Sequence, residues 1–122
     1  MAKEEHQDDV AREMIERIAD KWTMLVLDVL ESGEQRFTRI REQVGGVSQK
    51  MLTKTLRDLE RDGLVTRHVH PVVPPHVDYK LTPLGESLGE SVCGIWLWVE
   101  AHAQDVHQSR HAYDRVARPA PG

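Results

Sequence analysis

The apolar positions of this chain keep a helical period, switch once to a two-residue period, and then return to the helical one. Val10, Met14, Ile15 and Ile18 recur at three- and four-residue spacing, which predicts a first helix over about residues 8–19. Trp22 to Leu30 is apolar at most positions and predicts a mostly buried second helix, stopped by Ser32-Gly33. In the stretch after Phe37, Thr38 is placed to cap a short helix through Val44, with Ile40 and Val44 facing inward. Gly45-Gly46 makes a turn. Ser48 then caps a longer helix that Gly63 closes.

From Leu64 to Thr82 the pattern changes. β-Branched and polar residues alternate on both sides of a proline cluster, which predicts a two-stranded hairpin with a tip stiffened by Pro71, Pro74 and Pro75. Thr82-Pro83 then combines an N-cap with a proline at the first helical position. Leu84, Leu88, Val92, Ile95, Val99 and Val106 share one face of a long last helix. The short helix, glycine turn and longer helix suggest a helix-turn-helix, and the hairpin supplies a wing. The expected fold is therefore mainly α (α+β), one domain over residues 8–114, with residues 1–7 and 115–122 as disordered ends.

Composition changes this picture at one place. The chain carries a net charge of −4, which by itself argues against non-specific nucleic-acid binding. Yet Arg36 to His68 holds eight basic residues against four acidic ones, a local charge of +4, and the remaining residues sum to −8. Half of those cations lie on the fourth predicted helix. At about 100° per residue, Leu52, Thr55, Leu56 and Leu59 cluster on one side, while Lys50, Lys54, Arg57 and Arg61 fall on the other. Cations opposite a core face suit phosphate neutralisation. Ser48, Gln49, Lys50, Thr53 and Lys54 occupy the first turns, from which a recognition helix reaches base edges; Gln can pair with adenine and Lys with guanine. Arg57 and Arg61 lie farther along and suit phosphate, as do Arg36, Arg39 and Arg41. The plainer reading is a solvated charged face, diluted by Asp58, Glu60 and Asp62.

The stretch from Asp20 to about Leu88 resembles the HxlR-type winged helix-turn-helix transcriptional regulators. The elements KWT, RF, GVSQKMLTKTLRDLERDGLV, the spaced prolines of PVVPP, and YKLTPLG all fall in family order. The resemblance implies a homodimer built from the first and last helices (about 8–19 and 83–114). It implies a double-stranded, pseudo-palindromic DNA operator, with one recognition helix, Ser48 to Asp62, per half-site and a wing at about Pro71 to Val77. Thr38 joins the DNA-facing residues on this reading. Two departures stand out. Many members carry a redox-sensing cysteine shortly before the KW segment, where this chain reads HQDDVAREM. The family wing often has an arginine after the double proline, where this chain has His76, a weaker phosphate partner when neutral.

Other residues have two readings each. Cys93 is either a small core residue or a redox or electrophile sensor. Trp96 and Trp98 either pack a dimer interface or line an apolar pocket for a small-molecule effector. His107 and His111 stand at i, i+4, and His68 and His70 share a side of a strand. Such spacings occur in zinc sites but also by chance, and no metal or cofactor is expected. No phosphate loop, HExxH or GxSxG motif, and no nucleophile with an evident base, appears, so an enzyme is not expected. One cysteine, no apolar run long enough for a membrane span, and the acidic start MAKEEHQDDV lead to an expected cytoplasmic location. The sequence thus leads to a DNA-binding transcriptional regulator, expected to be a repressor that answers a small molecule or stress signal. The other class is a winged-helix module that uses the same cations on an acidic protein partner.

Overall fold

The computed structural model describes residues 2–116, with side chains from residue 7 onward. Its elements are α1 (Ala2–Ala19), α2 (Lys21–Leu30), β1 (Gln35–Arg36), α3 (Phe37–Val44), α4 (Gln49–Arg61), β2 (Val65–His70), β3 (His76–Leu81) and α5 (Pro83–Val116). The chain divides into two compact units, Met1–Val92 and Cys93–Gly122. The core of the first is built where α2, α3 and α4 meet the sheet: Val26, Leu27, Leu30, Ile40, Leu52, Leu56, Leu59, Leu64, Val65, Tyr79 and Leu81 are all buried.

Local chemistry fixes where the elements start and stop. The Asp20 carboxylate accepts from the Trp22 and Thr23 amides and so caps α2. Ser48 Oγ accepts from the Met51 amide at 3.0 Å and caps α4. Asp62 ends α4, and Gly63 follows at φ 77°, a left-handed conformation that a side chain would disfavour. There the Leu64 amide reaches back to Leu59 O at 2.9 Å, so the orphaned carbonyls of the last turn are partnered. Thr82 Oγ1 accepts from the Gly85 amide at 3.0 Å and donates to Gly63 O, which locks the start of α5 to the end of α4.

The structure differs from the periodicity in five places. First, α1 begins at Ala2, so residues 2–7 of the expected irregular end lie within helix bounds. Ala, Lys and Glu favour helix without supplying the apolar spacing that marks one in a sequence. Second, α3 begins at Phe37 after the extended residue Arg36, and Thr38 is not its cap. The reason is β1: Gln35 and Arg36 pair with Tyr79 and Asp78, so the chain leaves a strand directly into the helix. Third, that short strand makes the sheet three-stranded, in the order β1-β3-β2, where only the hairpin was expected. Fourth, Trp22 is only half-buried, with Lys21 Nζ 4.5 Å above its ring. Fifth, α5 buries Gly85, Gly89 and Val92, while Leu84 on the expected apolar face is exposed. α5 also continues to Val116, two residues past the expected end, and the rest of the expected tail, 117–122, lies outside the described residues.

Candidate nucleic-acid interface

Helix α4 separates its two faces completely. Leu52, Leu56 and Leu59 have no exposed surface, and Thr55, also buried, satisfies its hydroxyl on Met51 O at 2.9 Å. On the opposite side Gln49, Lys50, Lys54 and Arg57 are exposed, and Thr53 is half-buried with its hydroxyl on Gln49 O at 2.8 Å. The apolar face holds the helix in place, and the outward side chains are free to meet a ligand.

Each edge of this outward face has its own neighbours. On one edge, Gln49 and Thr53 face the wing across a shallow groove of about 460 Å³, whose walls include Arg36, Thr38, Pro74, Pro75 and His76. Six residues distant in the sequence, namely Arg36, Thr38, Gln49, Thr53, His76 and Tyr79, therefore border one recess. On the other edge, α4 meets α1. Arg17 Nη1 lies 2.8 Å from Asp58 Oδ2, and Arg17 Nε lies 3.1 Å from Asp62 Oδ2. Lys54 Nζ also reaches Asp58 Oδ2, at 3.0 Å. Arg61 borders the recess on this side together with Glu13 and Glu16.

This arrangement changes the meaning of the charge pattern. Asp58 and Asp62 do not simply dilute the cationic patch, because Arg17 of α1 engages both. Lys50 and Arg57 are left as the outward cations at the middle of the face. Arg17 was not singled out from the sequence, since the pairing spans more than forty residues and only the packing of α1 on α4 reveals it. Arg36 and Arg39 are exposed beside this face. Arg41 is used differently: its Nε donates to Val47 O at 3.3 Å and braces the Gly45-Gly46 turn, both glycines having positive φ.

The wing carries a second grouping. His70 and His76 are opposite partners in the hairpin register, and Asp78 follows two residues after His76 on the same face of β3. The imidazoles stack with centroids 4.5 Å apart, and His70 Nε2 lies 2.9 Å from Asp78 Oδ2. His76 therefore does not stand alone at the wing, as its place in the sequence suggested. His68 turns instead to Glu34, with Nδ1 and Oε1 3.1 Å apart. The sequence pairs His68/His70 and His107/His111 missed this group, because it depends on cross-strand register. The available signal was HPVVPPHVD itself, two histidines equidistant from a proline tip.

Cys93 is exposed, which removes the buried-core reading within this chain. Ile95, Leu97, Trp98 and Val99 are exposed as well, at 44%, 61%, 56% and 41%, and Ile95, Trp98 and Val99 lie on one side of the helix. Trp96 is half-buried and its indole Nε1 has no hydrogen-bond partner among the described residues. In the first unit Val10 and Ile15 of α1 are also exposed. No described helix is long and apolar enough to cross a membrane.

The chain is similar in sequence and fold to known proteins. The sequence model of the HxlR-like helix-turn-helix family matches residues 17–107. The HTH-type transcriptional regulator YtfH of Escherichia coli (strain K12) is 44% identical over 96 residues, which is 79% of this chain and 76% of that protein. Among solved structures, the transcriptional regulator ytfH from Salmonella typhimurium superposes with a TM-score of 0.79 at 42% identity, covering 83% of this chain and 90% of the other. The redox regulator HypR in its reduced form superposes with a TM-score of 0.73 at 35% identity, covering 81% and 97%.

Proposed function

Because the chain belongs to the HxlR-like helix-turn-helix family of transcriptional regulators, we propose that it acts as a homodimer on a pseudo-palindromic DNA operator, as a repressor released by a chemical signal. The observation that carries this reading is α4. One face is fully buried, the other offers Gln49, Lys50, Thr53, Lys54 and Arg57 outward, and the wing stands along one edge. On this reading the first turns of α4 enter the major groove and read bases. Arg36, Arg39, Arg57 and Arg61 meet phosphates, and Thr38 and His76 border the groove from α3 and the wing.

The uncovered apolar residues support the dimer. Val10 and Ile15 of α1, and Ile95, Leu97, Trp98 and Val99 of α5, are exposed in the protomer. Apolar patches of this kind mark association surfaces. Two copies would also place two recognition helices, which an operator with repeated half-sites requires. For the signal, exposed Cys93 favours oxidant or electrophile sensing, with Trp96 one turn away on the same helix.

Selection of bound sequences from random DNA tests the reading. The expected result is a repeated half-site, bound with log affinity falling linearly against log salt. The double variant Lys50→Ala, Lys54→Ala should lose that binding while sedimentation still shows a dimer. DNA binding retained by the double variant would move the site off α4. An acidic protein partner captured in place of DNA would convert the chain to an interaction module. Oxidant during selection tests Cys93: binding indifferent to oxidant removes the sensor.

A further inference from the structure

We propose that His70, His76 and Asp78 form a site for a divalent cation of the zinc class, which ties the two strands of the wing together at its tip. The three side chains come from both strands. β2 and β3 pair in antiparallel register with His70 opposite His76. The Pro71–Pro75 segment between them is the tip of the hairpin, so a cation held here would close the loop at its base.

The geometry fits a metal shell better than a hydrogen-bonded triad. One ligand atom from each residue lies within 4.8 Å of the other two. His70 Nε2 is 2.9 Å from Asp78 Oδ2, and His76 Nε2 is 3.9 Å from Asp78 Oδ1. In a tetrahedral zinc shell with bonds of about 2.0–2.1 Å, neighbouring ligand atoms stand about 3.3 Å apart. The observed separations bracket that value, so small side-chain rotations complete the shell. Close approach has not produced hydrogen bonds here. His70 Nε2 and Asp78 Oδ1 are both buried and neither has a hydrogen-bond partner among the described residues. Both imidazoles bring Nε2 within 3.9 Å of one carboxylate. A neutral imidazole offers a lone pair at one ring nitrogen, and a cation between these atoms would use all three at once.

The donor set selects the metal class. Two imidazoles and one carboxylate suit zinc and its borderline neighbours, whereas magnesium and calcium prefer all-oxygen shells. Three protein ligands leave a fourth position for solvent or an incoming group. The nearby His68 is engaged by Glu34 and is not a member.

Any effect of the cation on operator binding rests on the DNA reading above, but cation binding itself does not. The test therefore uses the full chain without DNA. After chelator treatment the protein is titrated with Zn²⁺ in competition with a chromophoric chelator, in excess Mg²⁺. Co²⁺ serves as a spectroscopic probe of coordination number. The expected result is one Zn²⁺ per chain and an intense tetrahedral Co²⁺ spectrum. Even outer-shell changes typically cost about 10–100-fold in metal affinity, so His70→Ala, His76→Ala and Asp78→Asn should each lose at least about tenfold. His68→Ala and the double variant His107→Ala, His111→Ala should bind as the parent does. Hydrogen exchange reports the wing directly: Zn²⁺ should slow amide exchange at Val69 and Val77 in the parent and not in His76→Ala. Absence of stoichiometric Zn²⁺, or Zn²⁺ binding that survives loss of both His70 and His76, overturns the proposal. So does Zn²⁺ binding that leaves wing exchange unchanged.

Discussion

Helix α4 and the Cys93–Val116 stretch of α5 are both amphipathic, yet one has its apolar face sealed and the other has it open. Leu52, Leu56 and Leu59 of α4 are fully buried. Ile95 and Trp98 of α5 keep 44% and 56% of their surface. The difference is one of partners. α4 meets α2 and β2 within its own unit, whereas the described residues of the second unit form a single helix, so none of them covers its face. An apolar stripe therefore states that a helix will bury a face, and leaves open whether its own chain or another supplies the cover.

Mutations can break or sharpen that contrast. The largest effect is expected from Leu56→Ala, which removes a fully buried side chain from α4 and should cost about 2–5 kcal/mol of stability in denaturant unfolding. Leu97→Ala should leave the same measurement nearly unchanged when the protein is diluted to monomer. An equal loss from both would erase the distinction between the two helices.

The start of α5, which does pack, gives a finer comparison. A Cβ on Gly85 would strike the Leu64 backbone carbonyl, and one on Gly89 would meet only the end of the Glu31 side chain. Gly85→Ala should therefore destabilise by about 1–3 kcal/mol, the usual range for overpacking. Gly89→Ala should be near neutral, because Glu31 can swing away and alanine gains up to about 1 kcal/mol of helix propensity. Thermal melts of the two variants side by side decide the point.

Ile95→Asp places a charge on the open face. The dissociation constant of the proposed dimer should rise at least about tenfold, or about 1.4 kcal/mol, with the far-ultraviolet circular dichroism unchanged. Sedimentation across a dilution series checks it, and a variant that stays dimeric would locate the interface elsewhere. The smallest effect on stability belongs to Lys50→Ala, within about 0.5 kcal/mol for an exposed site. Its signature is in DNA binding instead. If Lys50 meets a phosphate, the salt slope should fall by about 1 for all sequences; if it reads a base, discrimination at one position should relax.

Much of this could be read before any coordinates. The caps at Ser48 and Thr82, the closing Gly63, the proline tip of the hairpin and the outward Lys50 and Arg57 all follow from local rules linking residue type to backbone geometry. Strand β1 was not legible, since two residues, Gln35 and Arg36, carry no periodicity. Thr38 was misplaced as a cap for the same reason. Nor was the burial of Gly85 and Gly89 legible, although Val92 beside them was expected on the apolar face of α5 and is buried. Glycine has no hydropathy signal, and what selects it at Gly85 is close approach to the Leu64 backbone carbonyl.

The sequence by itself determined that a helix-turn-helix and a wing follow one another, and which side of α4 is cationic, because capping, turn chemistry and helical period act over a few residues. Only the tertiary structure decided that Arg17 engages Asp58 and Asp62, that Gln49 and Thr53 share a groove with Pro74 and His76, and that His70, His76 and Asp78 converge. Those are meetings between residues on different elements, set by strand register and by how helices seat on a common core; only the HPVVPPHVD stretch carries a local trace of one of them.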